Sequence, residues 1–212
     1  MEDNGPMSIA QARPPEPFAP WAEIVPDAPL HMTIDDLLRW PNDDGYRYEL
    51  VEGVLVRVAG SGDLATTIGA TIVTVLKTHV RPRRLGRVTG ADGVYKFPGA
   101  ETGLLPDAGF YAASRAPLVV NRTKPIPFAP DLTVEVASPS QKQGDMDAKA
   151  ALYIDGGTRL VWIVWPEDER IDVWRPRDHT PTILRTGDML DGEDVVVDFL
   201  HPVEDIFTDD LG

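Results

Sequence analysis

Three side chains in the second half of the chain have the chemistry of a hydrolytic site. Asp107 follows a proline in "GLLPDAGFY", Glu135 lies in the middle of the apolar stretch "LTVEV", and Lys149 lies in the helical pattern "DMDAKAALY". Two neighbouring strands could bring Asp107 and Glu135 side by side, where two carboxylates repel and raise each other's pKa. A divalent cation between them would remove this repulsion, which predicts an oxygen-lined site suited to magnesium or manganese.

The lysine would complete this predicted site. A metal held by two carboxylates can polarise a phosphate and lower the pKa of a water molecule. The ammonium group of Lys149 could then orient that water or stabilise the charge that develops on phosphorus. The combination is suited to hydrolytic chemistry at a phosphate.

A purely structural interpretation of the same residues also stands. Glu135 could occupy an outward position on a half-exposed strand, because its same-side neighbours are compatible with water. Lys149 could pair with Asp145, which lies four residues earlier on the same helix face. Asp107 could be a turn residue after proline. Spacing alone leaves both interpretations open.

Motifs for several other enzyme classes are absent. The chain has no G-x-x-x-x-G-K-[ST] phosphate loop and no G-x-S-x-G nucleophile motif. Its four histidines are far apart, and its lack of cysteine excludes disulfides and thiolate metal sites and fits a reducing cytoplasm. A glycosidase could use two acids but needs a sugar cleft, and the tryptophans here more simply pack the sheet.

The composition is that of a globular domain with a terminal extension. The chain has 212 residues, 42% of them hydrophobic and 25% charged, which is enough for one domain with a sizeable core. No apolar run is long enough to span a membrane, and the N-terminus lacks the regions of a signal peptide. Residues 1–30 are proline-rich without an apolar period, which predicts an extended or disordered arm before a single domain at 31–212.

The net charge of −14 is unusual for a protein that acts on nucleic acid, because phosphate contacts normally require a basic surface. One basic cluster occurs near the end of a predicted helix. It could be a solvated helix end, where cations favour the helix dipole, or a local contact surface for a polyanion. The cluster consists of Lys77, His79, Arg81, Arg83, Arg84 and Arg87.

The order of predicted elements indicates a mixed sheet with helices. A short helix capped by Thr33 precedes the hairpin "YRYELVEGVLVRVAG", and apolar residues at helical spacing run from about Asp63 to Val80. Short strands and a proline-broken loop follow. The Glu135 strand comes next, then a helix at about 145–155 and a tryptophan-rich hairpin. This order differs from the alternating pattern of a doubly wound fold.

Five motifs follow one another through almost the whole domain. They are "YELVEG", "LLPDAGFY", "LTVEVASPS", "DMDAKAALYIDGGTRLVWIVWP" and "IDVWRP". In this order the motifs resemble the Uma-type putative restriction endonuclease family, a former domain of unknown function within the PD-(D/E)XK nuclease superfamily. The resemblance covers about residues 32–208. No single motif is specific, but the ordered set is.

The resemblance implies both a fold and a catalytic centre. The fold would be a restriction-endonuclease-like mixed β-sheet core flanked by helices, of the α+β or mixed α/β class, with an extra N-terminal hairpin. The centre would be a magnesium-dependent phosphodiesterase site. Asp107 and Glu135 match the family's metal-binding acids, and Lys149 matches a lysine supplied from the following helix. Glu49, in "YELVEG", matches an early acid that would hold a second metal or orient the water.

The sequence departs from the related patterns at two places. The superfamily usually places its lysine two positions after the second acid, and Ala137 occupies that position. Members of the family often have a histidine before the long helix, and the corresponding segment "AGSGDLATTIG" has none.

The sequence therefore predicts a cytoplasmic, magnesium- or manganese-dependent endonuclease that acts on DNA without membrane association. A homodimer would suit the cutting of both DNA strands, although no segment of the sequence marks an interface. The alternative is a catalytically silent scaffold or interaction protein that keeps the fold. The acidic charge and the proline-rich arm favour that alternative.

Overall fold

The fold is built around a six-stranded mixed sheet that has helices on both faces. The computed structural model describes residues 18–99 and 101–208. Its helices are α1 (Ile34–Leu37), α2 (Asp63–Arg83), α3 (Gln143–Asp155) and α4 (Val203–Phe207). Its strands are β1 (Glu23–Ile24), β2 (Tyr46–Val51), β3 (Val54–Ala59), β4 (Gly86–Gly90), β5 (Tyr95–Phe97), β6 (Thr102–Leu104), β7 (Ala108–Ala112), β8 (Leu132–Val136), β9 (Leu160–Trp165), β10 (Arg170–Trp174), β11 (Thr182–Arg185), β12 (Met189–Asp191) and β13 (Leu200–Pro202). Within those ranges no helix has the length and apolarity that a membrane crossing needs.

The strands form three sheets. The first has the order β1-β3-β2-β6-β5, the second has the order β11-β10-β9-β8-β7-β4, and β12 pairs with β13. In the second sheet β8 and β9 are parallel, whereas the other neighbouring strands are antiparallel. The mixed sheet and its flanking helices confirm the predicted fold class.

The hairpin of β2 and β3 follows directly from its turn residues. Val51 lies opposite Val54, so the loop contains only Glu52 and Gly53. Both loop residues have positive φ angles, 49° and 78°, which matches the twist of the flanking strands. Before the hairpin, Thr33 caps α1 through a reciprocal capping box. These local signals are confirmed as the sequence predicted them.

Helix α2 is one turn longer than predicted. It continues past Val80 to Arg83, and its end is a Schellman motif in which the Leu85 backbone N–H donates to the Val80 carbonyl oxygen at 3.2 Å. Arg84 adopts the left-handed conformation that this motif requires, with φ 56°. The apolar period predicted the body of the helix, but the extra turn is polar and carries no such period.

The central strand β8 is buried on both faces. Helix α2 covers one face, where Val134 packs in a cluster with Ile72. Helix α3 covers the other face, where Ala137 packs in a cluster with Tyr153. The interpretation of Glu135 as an outward residue of a half-exposed strand is therefore wrong, because only 5% of this residue is exposed.

Part of the predicted N-terminal arm packs against the domain. Trp21 is buried, and β1 pairs with β3 so that Glu23 lies opposite Arg57. Arg57 also forms an ion pair with Glu23 at 2.9 Å. The remainder of the predicted arm, residues 1–17, lies outside the described residues.

Gly109 allows Tyr95 to pack against β7 close to the candidate site. A Cβ atom at this position would lie 2.6 Å from the Tyr95 hydroxyl oxygen. Tyr95 is fully buried and its hydroxyl is hydrogen-bonded to Thr89, so it has little room to move. We expect Gly109→Ala to lower the free energy of unfolding by about 1–3 kcal/mol, measured by urea denaturation.

Gly90→Ala is the matched control for this substitution. Gly90 is the last residue of the neighbouring strand, and an added methyl group there meets no atom within 4 Å. Its free energy of unfolding should change by less than about 0.5 kcal/mol. Equal losses in the two variants would contradict the close contact with Tyr95.

Candidate active site

The four predicted site residues meet at one end of the central sheet. Glu135 comes from β8, Glu49 from β2, Lys149 from α3, and Asp107 directly precedes β7. The Lys149 Nζ atom lies 3.0 Å from Glu135 Oε1 and 3.3 Å from Glu49 Oε1. Two separate sheets and one helix therefore contribute to a single charge cluster.

The register of β7 against β8 positions Asp107. Ala108 lies opposite Val134, so the next position along the antiparallel pair places Asp107 beside Glu135. The backbone N–H of Val136 donates to Asp107 Oδ2 at 2.8 Å. Asp107 is thus a carboxylate held at the end of the sheet, as the two-strand interpretation of the sequence required.

Helix α3 directs Lys149 into the protein rather than towards solvent. Only 3% of its side chain is exposed. The alternative in which Lys149 pairs with Asp145 on a wet helix face is wrong, because the described partners of the ammonium group are Glu135 and Glu49. Helix α3 thus supplies the lysine beside the acids, whereas the strand has Ala137 rather than a lysine two positions after Glu135.

Glu49 occupies the inner end of the cluster. Its Oε1 atom accepts a hydrogen bond from the Leu105 backbone N–H at 3.1 Å and also contacts Lys149. Within the described residues its Oε2 atom is buried and has no hydrogen-bond partner. A buried carboxylate oxygen without a partner is costly, so this atom is available to an additional cation, proton or water molecule.

The site contains two further residues to which the sequence analysis assigned no role. Arg47 Nη1 forms an ion pair with Asp107 Oδ1 at 2.8 Å. The Tyr153 hydroxyl donates a hydrogen bond to Glu135 Oε1 at 2.6 Å. Strand alternation places Arg47 on the same face as Glu49, two positions later, and helical spacing places Tyr153 one turn after Lys149. These spacings could have indicated both residues.

Burial makes Glu135 an unusual carboxylic acid. Removal from water raises its pKa to about 7, and the negative charges of Asp107 and Glu49 add to the rise. Lys149 and the hydrogen bond from Tyr153 oppose this effect but do not cancel it. Glu135 therefore exchanges its proton near neutral pH, whereas an exposed glutamate is already ionised there.

The cationic and phenolic groups of the cluster respond to the same charges. Burial lowers the pKa of Lys149, but Glu135, Glu49 and Asp107 outweigh it, so the net shift is upward. Burial and then Glu135 hold the pKa of Tyr153 well above its ordinary value. Lys149 consequently stays an ammonium group, and Tyr153 stays a hydrogen-bond donor, at every pH near neutrality.

The cluster reaches solvent beside Asp107. A hollow of about 470 Å³ lies between α2 and the end of β4, and both Asp107 and Arg47 line it. The side chain of Asp107 is 13% exposed, compared with 7% for the side chain of Glu135 and 3% for that of Glu49. We call this opening the site hollow. A ligand entering through it would meet Asp107 first.

The donor set of the cluster consists of carboxylate oxygens. Among the described residues there is no group of three or more His, Cys, Asp or Glu side chains arranged to hold a metal ion. Magnesium, however, is commonly held by one or two carboxylates together with water and substrate phosphates. Asp107, directly before β7, and Glu135, on β8, are two hard oxygen donors at the same end of the sheet.

A solved structure of the same fold supports the architecture. It is the crystal structure of a putative nuclease belonging to DUF820 from Anabaena variabilis, with a TM-score of 0.70 and 22% sequence identity. The similarity covers 83% of this chain and 97% of that chain. The protein therefore has the fold of this nuclease-like class. A comparison with curated proteins gives no match.

The family follows from the sequence comparison. The model of the Uma2 family, described as "Putative restriction endonuclease", matches residues 34–204. This range is most of the chain and contains Glu49, Asp107, Glu135 and Lys149. The chain belongs to the Uma2 family, which confirms the resemblance expected from the five motifs.

The raised pKa of Glu135 makes the stability of the fold depend on pH. In the unfolded chain Glu135 ionises near its ordinary value of 4.5, whereas in the folded chain it ionises near 7. The stabilisation from the protonated form is complete below the lower value and is lost as pH rises through the higher one. Relative to Glu135→Gln, the wild type should lose up to about 3 kcal/mol of unfolding free energy across this range.

Urea denaturation of both proteins in metal-free buffer, at intervals from about pH 4.5 to about pH 8, measures this difference. The glutamine keeps the shape of the side chain and does not titrate, so the change with pH isolates Glu135. A difference that stays constant or grows in favour of the wild type with rising pH would show that the carboxyl group ionises normally.

Proposed function

We propose that the protein is a metal-dependent endonuclease of the PD-(D/E)XK type that hydrolyses phosphodiester bonds in DNA. The observation that carries the proposal is the burial of Glu135 beside Asp107, with Lys149 bridging Glu135 to Glu49. Membership of a family described as restriction endonucleases supports the same reaction class. A structural core rarely retains two buried carboxylates on one lysine with a third carboxylate beside them, because each buried charge is costly.

Asp107 and Glu135 would hold the metal, with magnesium preferred and manganese able to replace it. Magnesium there would polarise a phosphate oxygen and make a water molecule a better nucleophile. Asp107 would first have to exchange its ion pair with Arg47, whose guanidinium contacts Oδ1. The unpartnered Oε2 atom of Glu49 fits a role for this acid in holding a second cation or orienting the water.

Lys149 would act beside the same carboxylates, from the inner side of the site. Its pKa is raised by Glu135, Glu49 and Asp107 despite burial, so it remains positively charged. A fixed ammonium group can orient the attacking water or stabilise the charge that develops on phosphorus. Tyr153 would hold Glu135 in position through its hydrogen bond of 2.6 Å.

A catalytically silent member of the family is the second candidate. The observation in its favour is Arg47, which already neutralises Asp107 and occupies one of its two oxygens. In that case the proton of Glu135 and the guanidinium of Arg47 would balance the charges of the cluster. The fold would then serve as a scaffold or an interaction surface.

Plasmid cleavage with magnesium or manganese separates these two functions. We expect the wild type to cleave DNA only with added metal, and Asp107→Asn and Glu135→Gln each to slow cleavage at least about a hundredfold. The reason is that both changes remove a metal-binding charge while keeping the side-chain shape. Linearisation or nicking of supercoiled plasmid is followed on gels.

Asp194→Asn is the control for this experiment. Asp194 is 80% exposed and pairs with Arg159, far from the acid cluster in the fold. Its variant should cleave at the wild-type rate. If the wild type cleaves no form of DNA with either metal, the silent alternative replaces the nuclease.

Lys149→Met separates metal binding from catalysis. We expect this variant to bind manganese in calorimetric titration with an affinity near that of the wild type, because Asp107 and Glu135 remain. Cleavage should fall by about a hundredfold, because the fixed positive charge is lost. Lys149→Gln provides a second variant if the methionine destabilises the fold, which thermal unfolding will show. Wild-type cleavage rates in a folded variant would remove Lys149 from the mechanism.

A further inference from the structure

A second hollow lies further along the same helix and strand, and five of its ten lining residues are cations. Its volume is about 550 Å³. We call the cation-lined surface the basic groove, and its charged residues come from three parts of the fold: the last turns of α2, the start of β4, and the loop after the 3-10 turn at Ala113–Leu118. These residues are Lys77, Arg81, Arg84, Arg87 and Arg122.

The cations of the basic groove are not paired with acids. Across residues 18–99 and 101–208, none of the five has a carboxylate oxygen within 4.0 Å. The groove lining contains no acidic residue, and the sequence has none between Asp63 and Asp92, although the chain has 34. Arg87 donates a hydrogen bond to the Tyr111 hydroxyl at 3.1 Å, which does not neutralise its charge. Five neighbouring cations without an acidic partner in the described part of the chain repel one another, and an anionic ligand would relieve that repulsion.

Stabilisation of the α2 dipole explains only part of this arrangement. Arg81 and Arg84 lie at the C-terminal end of the helix, where a cation is favourable. Arg87 is on β4 and Arg122 is on a separate loop, so the helix end does not require them. Their convergence on the same hollow indicates a built anion surface.

The basic groove and the site hollow form one path along α2. Both lie between α2 and β4, and their lining residues on α2 and at its C-cap fall along one side of the helix. In the site hollow these residues include Thr66, Ala70, Val73 and Thr74, and in the basic groove they are Lys77, Val80, Arg81 and Arg84. Strand β4 is an edge strand of its sheet, so within the described residues no further strand covers this path.

The length of β4 sets the distance between the two ends of the path. Gly90 lines the site hollow and Gly86 lines the basic groove, so four residue steps separate them. At about 3.4 Å per residue the separation is about 14 Å. Successive phosphates of one strand in a B-form duplex advance about 3.4 Å along the duplex axis, so a duplex lying parallel to β4 would cover this distance in about four base-pair steps.

We propose that the basic groove holds the phosphate backbone of a nucleic acid, about four nucleotides away from the phosphate that lies at Asp107. The inference rests on the proposed nuclease function, and it adds where the substrate lies and how long it must be. A mononucleotide would fill only one end of the path. A strand that extends at least about four nucleotides to one side of the cut would occupy both ends.

Oligonucleotide binding tests the groove without requiring catalysis. Fluorescence anisotropy in metal-free buffer would follow labelled single-stranded and double-stranded oligonucleotides at several salt concentrations. For at least one of these oligonucleotide forms, the double variant Arg81→Gln/Arg84→Gln should bind at least about tenfold more weakly than the wild type at low salt. The slope of log affinity against log salt should also become less steep by about 1.5–2, since two phosphate contacts are lost.

The matched control combines Arg177→Gln with Arg185→Gln. Both arginines are exposed and belong to other parts of the surface, and the pair removes the same amount of positive charge. The control should bind like the wild type. Equal weakening in both double variants would mean that only net charge matters, and it would overturn the basic groove as a specific surface.

Competition by size provides the second arm of the test. Unlabelled oligonucleotides should displace the labelled strand far better than inorganic phosphate or a mononucleotide at the same phosphate concentration. Equal competition by the small anions would identify a pocket for a single phosphate group and overturn the proposed path.

The outcomes also separate this inference from the proposed function. Groove-dependent binding without cleavage under any metal condition would exclude the nuclease but keep a nucleic-acid surface. Metal-dependent cleavage that is unchanged by the Arg81 and Arg84 substitutions would exclude the groove but keep the nuclease.

Discussion

The buried ammonium group of Lys149 is the interaction on which the arrangement around the candidate site depends. It joins Glu49 of the first sheet to Glu135 of the second, and α3 must lie over both to deliver it. Removing an ammonium group from water costs several kcal/mol unless it is paired and hydrogen-bonded. The two glutamates meet that requirement only when the sheets are packed as they are. The main effect of the ion pairs is therefore to determine position rather than to add stability.

The charge balance of the cluster links its chemistry to its structure. With all groups ionised, Glu49, Asp107 and Glu135 carry one more charge than Lys149 and Arg47 neutralise. Burial first, and then this excess of negative charge, raises the pKa of Glu135 to about 7. A proton or an added cation can correct this excess, and these two corrections correspond to a silent core and a metal-dependent enzyme. Each would occupy the same set of carboxylate oxygens.

The overall acidity of the chain says little about its surface at any one place. Charges on an exposed surface are screened beyond about 8–10 Å at ordinary salt concentrations. Cations gathered in the basic groove can therefore act on a ligand without interference from acids on the far side of the molecule. A net charge of −14 is compatible with a local anion surface because the segment that builds α2 and β4 has no acids between Asp63 and Asp92.

Much of the secondary structure was predictable because its signals are local. The Glu52–Gly53 turn, the Thr33 cap and the apolar period of α2 each depend on residues within one or two turns of chain. The short strand β6 was missed, because three residues are too few to show a period. The candidate acids and the lysine were identified by residue type and by family motif.

The meeting of these residues was decided only by the tertiary structure. Residue types and local patterns specify which charges the chain carries, which local elements hold them, and that a lysine is missing at Ala137. Whether β8 had a wet face depended on α3 crossing it, and local spacing contains no information about that crossing. The pairing of Arg47 with Asp107 and the convergence of Arg122 on α2 likewise join segments far apart in the chain. Burial turned the charges of Glu49, Asp107, Glu135 and Lys149 into one site, because only a folded core can remove them from water together.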